Sequence, residues 1–70
     1  MMNNAKITKK ILDRTLETLR RSVYTDKDLD NFQKLVYQSH AHKHINNKRL
    51  SAYLISITTL RALRTAQIVD

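Results

Sequence analysis

The sequence predicts an all-α protein, a small bundle of three helices completed by dimerisation. Three observations lead there. The chain has 70 residues and contains neither Gly nor Pro, the residues on which tight hairpin turns depend, which argues against a multi-stranded sheet. Its Leu and Ile residues recur at steps of three and four in three separate segments, the period of a helix with one buried face. A chain this short buries a small share of its surface. With no Cys for disulfides, a second chain is the remaining route to a sufficient core. Length allows one domain, residues 1–70, with residues 1–4 expected to be flexible.

The first helix is expected over residues 5–23. Leu12, Leu16, Leu19 and Val23 follow one another at helical spacing, and Ile7 and Ile11 widen the stripe. Lys6, Lys9, Lys10, Asp13, Arg14, Glu17, Arg20 and Arg21 fill the opposite face. Lys9 with Asp13 and Glu17 with Arg21 are spaced for pairs worth about 0.2–0.5 kcal/mol each. The pattern is that of a solvated amphipathic helix.

A boundary follows at Tyr24-Thr25-Asp26. Thr25 and Asp28 form a capping box with Asp in place of Glu, and Leu29 opens the next apolar stripe. Asp26, Asp28 and Asp30 then lie in the first turns, where negative charge suits the helix dipole. The cap accounts for these acids without a metal. The second helix, residues 26–44, would bury Leu29, Phe32, Leu35, Val36 and Ser39 and turn Tyr37 outward. Its end carries His40, His42, Lys43 and His44. His40 and His44 share a helical face at a spacing two zinc ligands could use, but no Cys exists and no acid follows until Asp70, so a third ligand is missing. The cluster is therefore read as the basic end of a helix, and no metal or cofactor is expected.

Asn46-Asn47 are the expected turn residues, because Asn tolerates the left-handed conformation and also caps helices. The third helix is expected over residues 48–67, with Leu50, Tyr53, Leu54, Ile57, Leu60 and Leu63 on its apolar face and Ile55 off it. Ile55-Ser56-Ile57-Thr58-Thr59 is rich in β-branched residues, but a lone strand would have no partner, so helix is preferred. So broad an apolar surface predicts that this helix is covered on two sides.

Catalysis is not expected. Without Gly there is no phosphate-cradling loop and no nucleophile elbow for any of the serines, and the carboxylates are too few for acid–base pairs outside the cap and the first helix. No apolar run approaches the ~18 residues of a membrane span. The polar start of the chain offers no secretory signal, so a soluble cytoplasmic protein without a membrane partner is expected.

What remains is charge: thirteen Lys and Arg against six Asp and Glu, a formal net +7. Beyond residue 30 stand Lys34, Lys43, Lys48, Arg49, Arg61 and Arg64 with three His, against Asp70 alone. Acids nearby in sequence cannot satisfy this half. Lys48 and Arg49 also fall at a helix N-terminus, where the dipole disfavours cations; residues placed against their local preference point to an external partner, and phosphate is the natural one. Arg61 and Arg64 flank the Leu50, Leu54 and Ile57 stripe, where their stems can cover the core edge and their guanidinium groups can grip phosphate or carboxylate. The expected interface is Lys43, Lys48, Arg49, Arg61 and Arg64. The expected partner is nucleic acid, DNA rather than RNA, in a regulatory role; at 6% aromatic residues stacking on single-stranded bases has little support. The alternative is a small helical interaction module that docks on an acidic protein surface and inhibits or modulates it. The second helix, the Asn46-Asn47 turn and the third helix also offer a frame for a helix-turn-helix, with Ala41 as its small residue, although Gly is missing from the turn and the helices are long.

Overall fold

A computed structural model describes residues 4–68. It is all-helical: α1 (Asn4–Arg21), α2 (Asp26–Ala41) and α3 (Asn47–Ile68), with no strand among the described residues. Asn4 belongs to α1; residues 1–3, expected to be flexible, and residues 69–70, which include Asp70, lie outside the described part of the chain. Short links force neighbouring helices to run antiparallel. At one end of the bundle Thr8 of α1 meets His44 just after α2 at 3.1 Å. At the other, Tyr24 before α2 donates its hydroxyl to the Leu60 carbonyl of α3 at 2.5 Å. α2 packs on both other helices. None of the described helices is long and apolar enough to cross a membrane.

The core follows the periodicity except at Leu63, which was expected on the apolar face of α3 and is exposed. Leu12, Leu16 and Leu19 of α1 meet Leu29, Phe32 and Val36 of α2, and Tyr53, Ile57 and Leu60 of α3 close the cluster. Ser39 is buried as the pattern requires, its hydroxyl donating to the Leu35 carbonyl at 2.8 Å so that no polar atom is stranded. The capping box forms as read: the Thr25 hydroxyl accepts the Asp28 N–H at 3.2 Å, and the Asp28 carboxylate accepts the Thr25 N–H at 2.9 Å. The β-branched run of α3 is helical, and Thr58, Thr59 and Thr65 each turn the hydroxyl back onto the carbonyl four residues earlier, at 3.0 Å.

Two boundaries differ from the sequence expectation by more than one residue. Val23 does not continue the α1 stripe. The helix stops at Arg21 and the chain turns away, leaving Val23 fully exposed. α2 ends at Ala41 and not at residue 44. There the N–H groups of Lys43 and His44 return to the carbonyls of His40 and Ser39, both at 2.9 Å, a Schellman closure. Lys43 takes the left-handed position of that closure, φ 62, which Gly would usually fill and which costs a β-carbon-bearing residue about 1–2 kcal/mol. The left-handed residue is thus Lys43, three positions before the pair expected to turn. Asn46 instead caps α3, its side-chain oxygen accepting the Arg49 N–H at 2.8 Å. Between the two caps the link drops Ile45 into the core, a buried residue outside any periodic stripe.

Candidate nucleic-acid interface

The antiparallel layout gathers the N-termini of α1 and α3 and the C-terminus of α2 at one end of the bundle. A shallow hollow of about 440 Å³ between α1 and α3 is lined by Asp13, Asn46, Lys48, Arg49 and Tyr53 among others. Adjoining it, and sharing Asn46, a second hollow is bordered by Lys9, His40, Lys43 and His44. Lys43, Lys48 and Arg49 from the expected set therefore meet at this end. Arg61 and Arg64 do not. Arg61 follows Lys48 by thirteen positions of α3, about 20 Å along a helix, and both arginines turn toward the start of α2. The five cations are two groups at opposite ends, not one patch.

The two groups also differ in what already neutralises them. Arg61 sits 3.1 Å from the Asp30 carboxylate and 3.9 Å from that of Asp26. Arg64 donates to the Tyr24 carbonyl at 3.2 Å and lies 3.9 Å from Asp26. The absence of acids after residue 30 thus left tertiary partners out of account: α2 brings its N-terminal aspartates against α3. Arg49 is answered in the same way by Asp13 of α1 at 3.6 Å. One of the two cations that run against the α3 dipole therefore has an internal partner. Lys48 has no carboxylate partner, and neither does Lys43 at the left-handed turn, among the described residues. Lys9, bordering the same hollow as Lys43, was read from the sequence only as a local partner of Asp13, whose carboxylate is instead taken by Arg49 and Tyr53. The short α1–α2 link, which folds that helix start back beside the end of α2, is the signal that places it.

Arg49, Asp13 and Tyr53 form a network that fixes this end. The Tyr53 hydroxyl donates to Asp13 Oδ1 at 2.5 Å and accepts from Arg49 Nη1 at 3.1 Å. Its ring, 4% exposed, stands edge-on to Phe32 with centroids 6.0 Å apart. Burial, then the bond to Asp13, push the Tyr53 hydroxyl above its ordinary value of 10.0, and the bond to Tyr53 raises the Arg49 guanidinium. Because the folded state holds the Tyr53 proton more tightly than the unfolded state, its contribution is complete below pH 10.0 and is lost as pH rises through the raised value. Urea midpoints are accordingly expected to fall more between about pH 9 and about pH 11 for wild type than for Tyr53→Phe. Near neutral pH the same substitution is expected to cost about 0.5–1.5 kcal/mol through the lost hydrogen bond.

The histidines make contacts of their own. His40 Nε2 lies 2.6 Å from the Asn47 side-chain oxygen, and the His42 and His44 rings approach to 5.8 Å. With α2 closed at Ala41, His40 and His44 do not share a helical face, and no group of His and acids among the described residues is arranged to hold a metal ion. The helix-turn-helix frame also fails to form. His40–Asn47 at one end and Arg61–Asp30 at the other hold α2 and α3 side by side along their length, whereas that motif crosses its helices at a steep angle. No protein-family model matches the chain, and neither a curated protein nor a solved structure was found to be similar to it.

Proposed function

We propose that this chain is a small basic nucleic-acid-binding protein, with DNA as its ligand before RNA, that acts as a regulator in the cytoplasm and pairs with a second copy of itself. One observation carries the proposal. Every acid among the described residues is used internally, in the capping box or in an ion pair with Arg21, Arg49, Arg61 or Arg64. The positive excess is thus left on residues that face outward without a carboxylate, among them Lys9, Lys43 and Lys48 at the hollowed end and Lys10 and Arg14 along α1. A polyanion with regularly spaced charges is the ligand that matches scattered, unpaired cations.

Two N-termini add to this. α1 and α3 both lack an acid in the first turn, so their positive dipole ends are not offset there and face the same side as Lys9, Lys43 and Lys48. Contacts of this kind position a protein on a phosphate backbone and carry no base code. The expected behaviour is broad affinity for duplex DNA of unrelated sequences. Fluorescence anisotropy from about 50 mM to about 300 mM salt is expected to give straight log–log plots of similar steepness for each duplex, about 0.9 per phosphate engaged. Absence of binding at the lowest salt would remove nucleic acid and hand the basic end to an acidic protein surface.

A further inference from the structure

We infer that the outward face of α3 is where a second copy of this chain docks, its α3 lying antiparallel on the first. The inference rests on the reading that the protein pairs with itself. Along α3, Ala52, Ile55, Thr59, Ala62 and Ala66 succeed one another at steps of three, four, three and four residues, the seam spacing of two packed helices. All five are exposed, Ile55 by 67%, and Leu63 beside them by 52%. From Leu50 to Ala66 the only charged residues are Arg61 and Arg64, and both are turned onto α2. α1 and α2, by contrast, carry Lys10, Arg14, Lys27 and Lys34 exposed on their outer sides. In a chain of net +7, the α3 face is where two copies can meet without opposing cations.

Electrostatics at the helix ends selects a second copy rather than another occupant. α3 has Lys48 and Arg49 in its first turn and no basic residue in its last, the reverse of what its own dipole favours. In an antiparallel pair Lys48 of each copy lies toward the C-terminal turn of the other α3, where carbonyl groups face out without a cation of their own. The arrangement that is wrong within one chain is right between two. An acidic partner would find no cation along the face to pair with.

The polar atoms of the seam are already satisfied. The Thr59 hydroxyl donates to the Ile55 carbonyl at 3.0 Å, so it can be buried without an orphaned donor. With the two-fold axis at Thr59, Ile55 of one copy faces Leu63 of the other, and the alanines at both ends let the backbones approach. Such an interface is isologous, so each substitution acts twice.

Sedimentation equilibrium of the full chain is the test, with Ile55→Lys, Leu63→Lys and the control Tyr37→Lys on the exposed side of α2. Wild type is expected to reach twice the 8.2 kDa of the chain, and added salt is expected to strengthen pairing by screening repulsion between the copies. Ile55→Lys and Leu63→Lys are each expected to raise the dissociation constant by about a hundredfold or more, with helical circular dichroism retained because both positions are exposed. Tyr37→Lys should pair like wild type. A wild type that stays at single mass up to millimolar concentration overturns self-pairing and the interface together. A wild type that pairs while Ile55→Lys and Leu63→Lys pair equally well, or while Tyr37→Lys separates the copies, leaves self-pairing standing and overturns the α3 face.

Discussion

Leu12→Ala is expected to remove about half of the protein's stability. Leu12 is wholly buried, in the centre of α1 and against α2. Truncating such a side chain loses its transfer free energy and leaves a cavity, together about 2–5 kcal/mol. A 70-residue domain has roughly 4–10 kcal/mol in all. In thermal melts at one fixed protein concentration, the midpoint is expected to drop by about 10–30 °C. Ile11→Ala, one residue earlier, is the comparison: Ile11 is half exposed, so its loss is expected to shift the midpoint by only a few degrees. Equal effects at the two positions would mean that α1 packs through a different face.

Those two neighbours also show what the sequence made legible. Leu12, Leu29 and Val36 are fully buried where three- and four-residue steps put them, because burial on a helix is set by angle alone. The Thr25 cap was readable for a related reason: its partner is three residues away. Periodicity carries no information on where a stripe stops, and Val23 completes the arithmetic although the helix has already ended. Ile45 belongs to a link without any period. Lys43 at φ 62 went unread because a left-handed closure is usually announced by Gly, and this chain has none.

The basic site divided along the same line between local and tertiary. That Lys48 and Arg49 oppose the α3 dipole was visible in the sequence. That Asp13 answers Arg49, and that Asp26 and Asp30 answer Arg61 and Arg64, needed the packing of three helices. Acids counted along the chain measure only local pairing. Once the helices are placed, the cations sort into those that hold the bundle and those that face out.

Neutralising Lys43 and Lys48 is expected to produce the largest change in nucleic-acid affinity, and Lys43→Gly separates binding from folding. At the left-handed position Gly removes the β-carbon clash, so the midpoint of unfolding is expected to rise for Lys43→Gly even as affinity falls. Lys48→Gln removes a cation from the N-terminus of its own helix, which is neutral or slightly favourable to the fold of the single chain. If each lysine meets one phosphate, the double variant should flatten the log–log salt plot by about 1.8. Extrapolated from 1 M salt, where the electrostatic contribution vanishes, that slope amounts to about two-hundredfold weaker binding near 50 mM. Arg61→Gln with Arg64→Gln is expected to do the opposite. Binding should change little, since Asp26 and Asp30 already neutralise these side chains, while stability should fall by about 1–2 kcal/mol with the lost Tyr24 bond and exposed ion pairs. Anisotropy and melts on both double variants decide the matter: if the arginine pair weakens DNA binding as much as the lysine pair, the ligand lies along the whole of α3 and the hollowed end is not its centre.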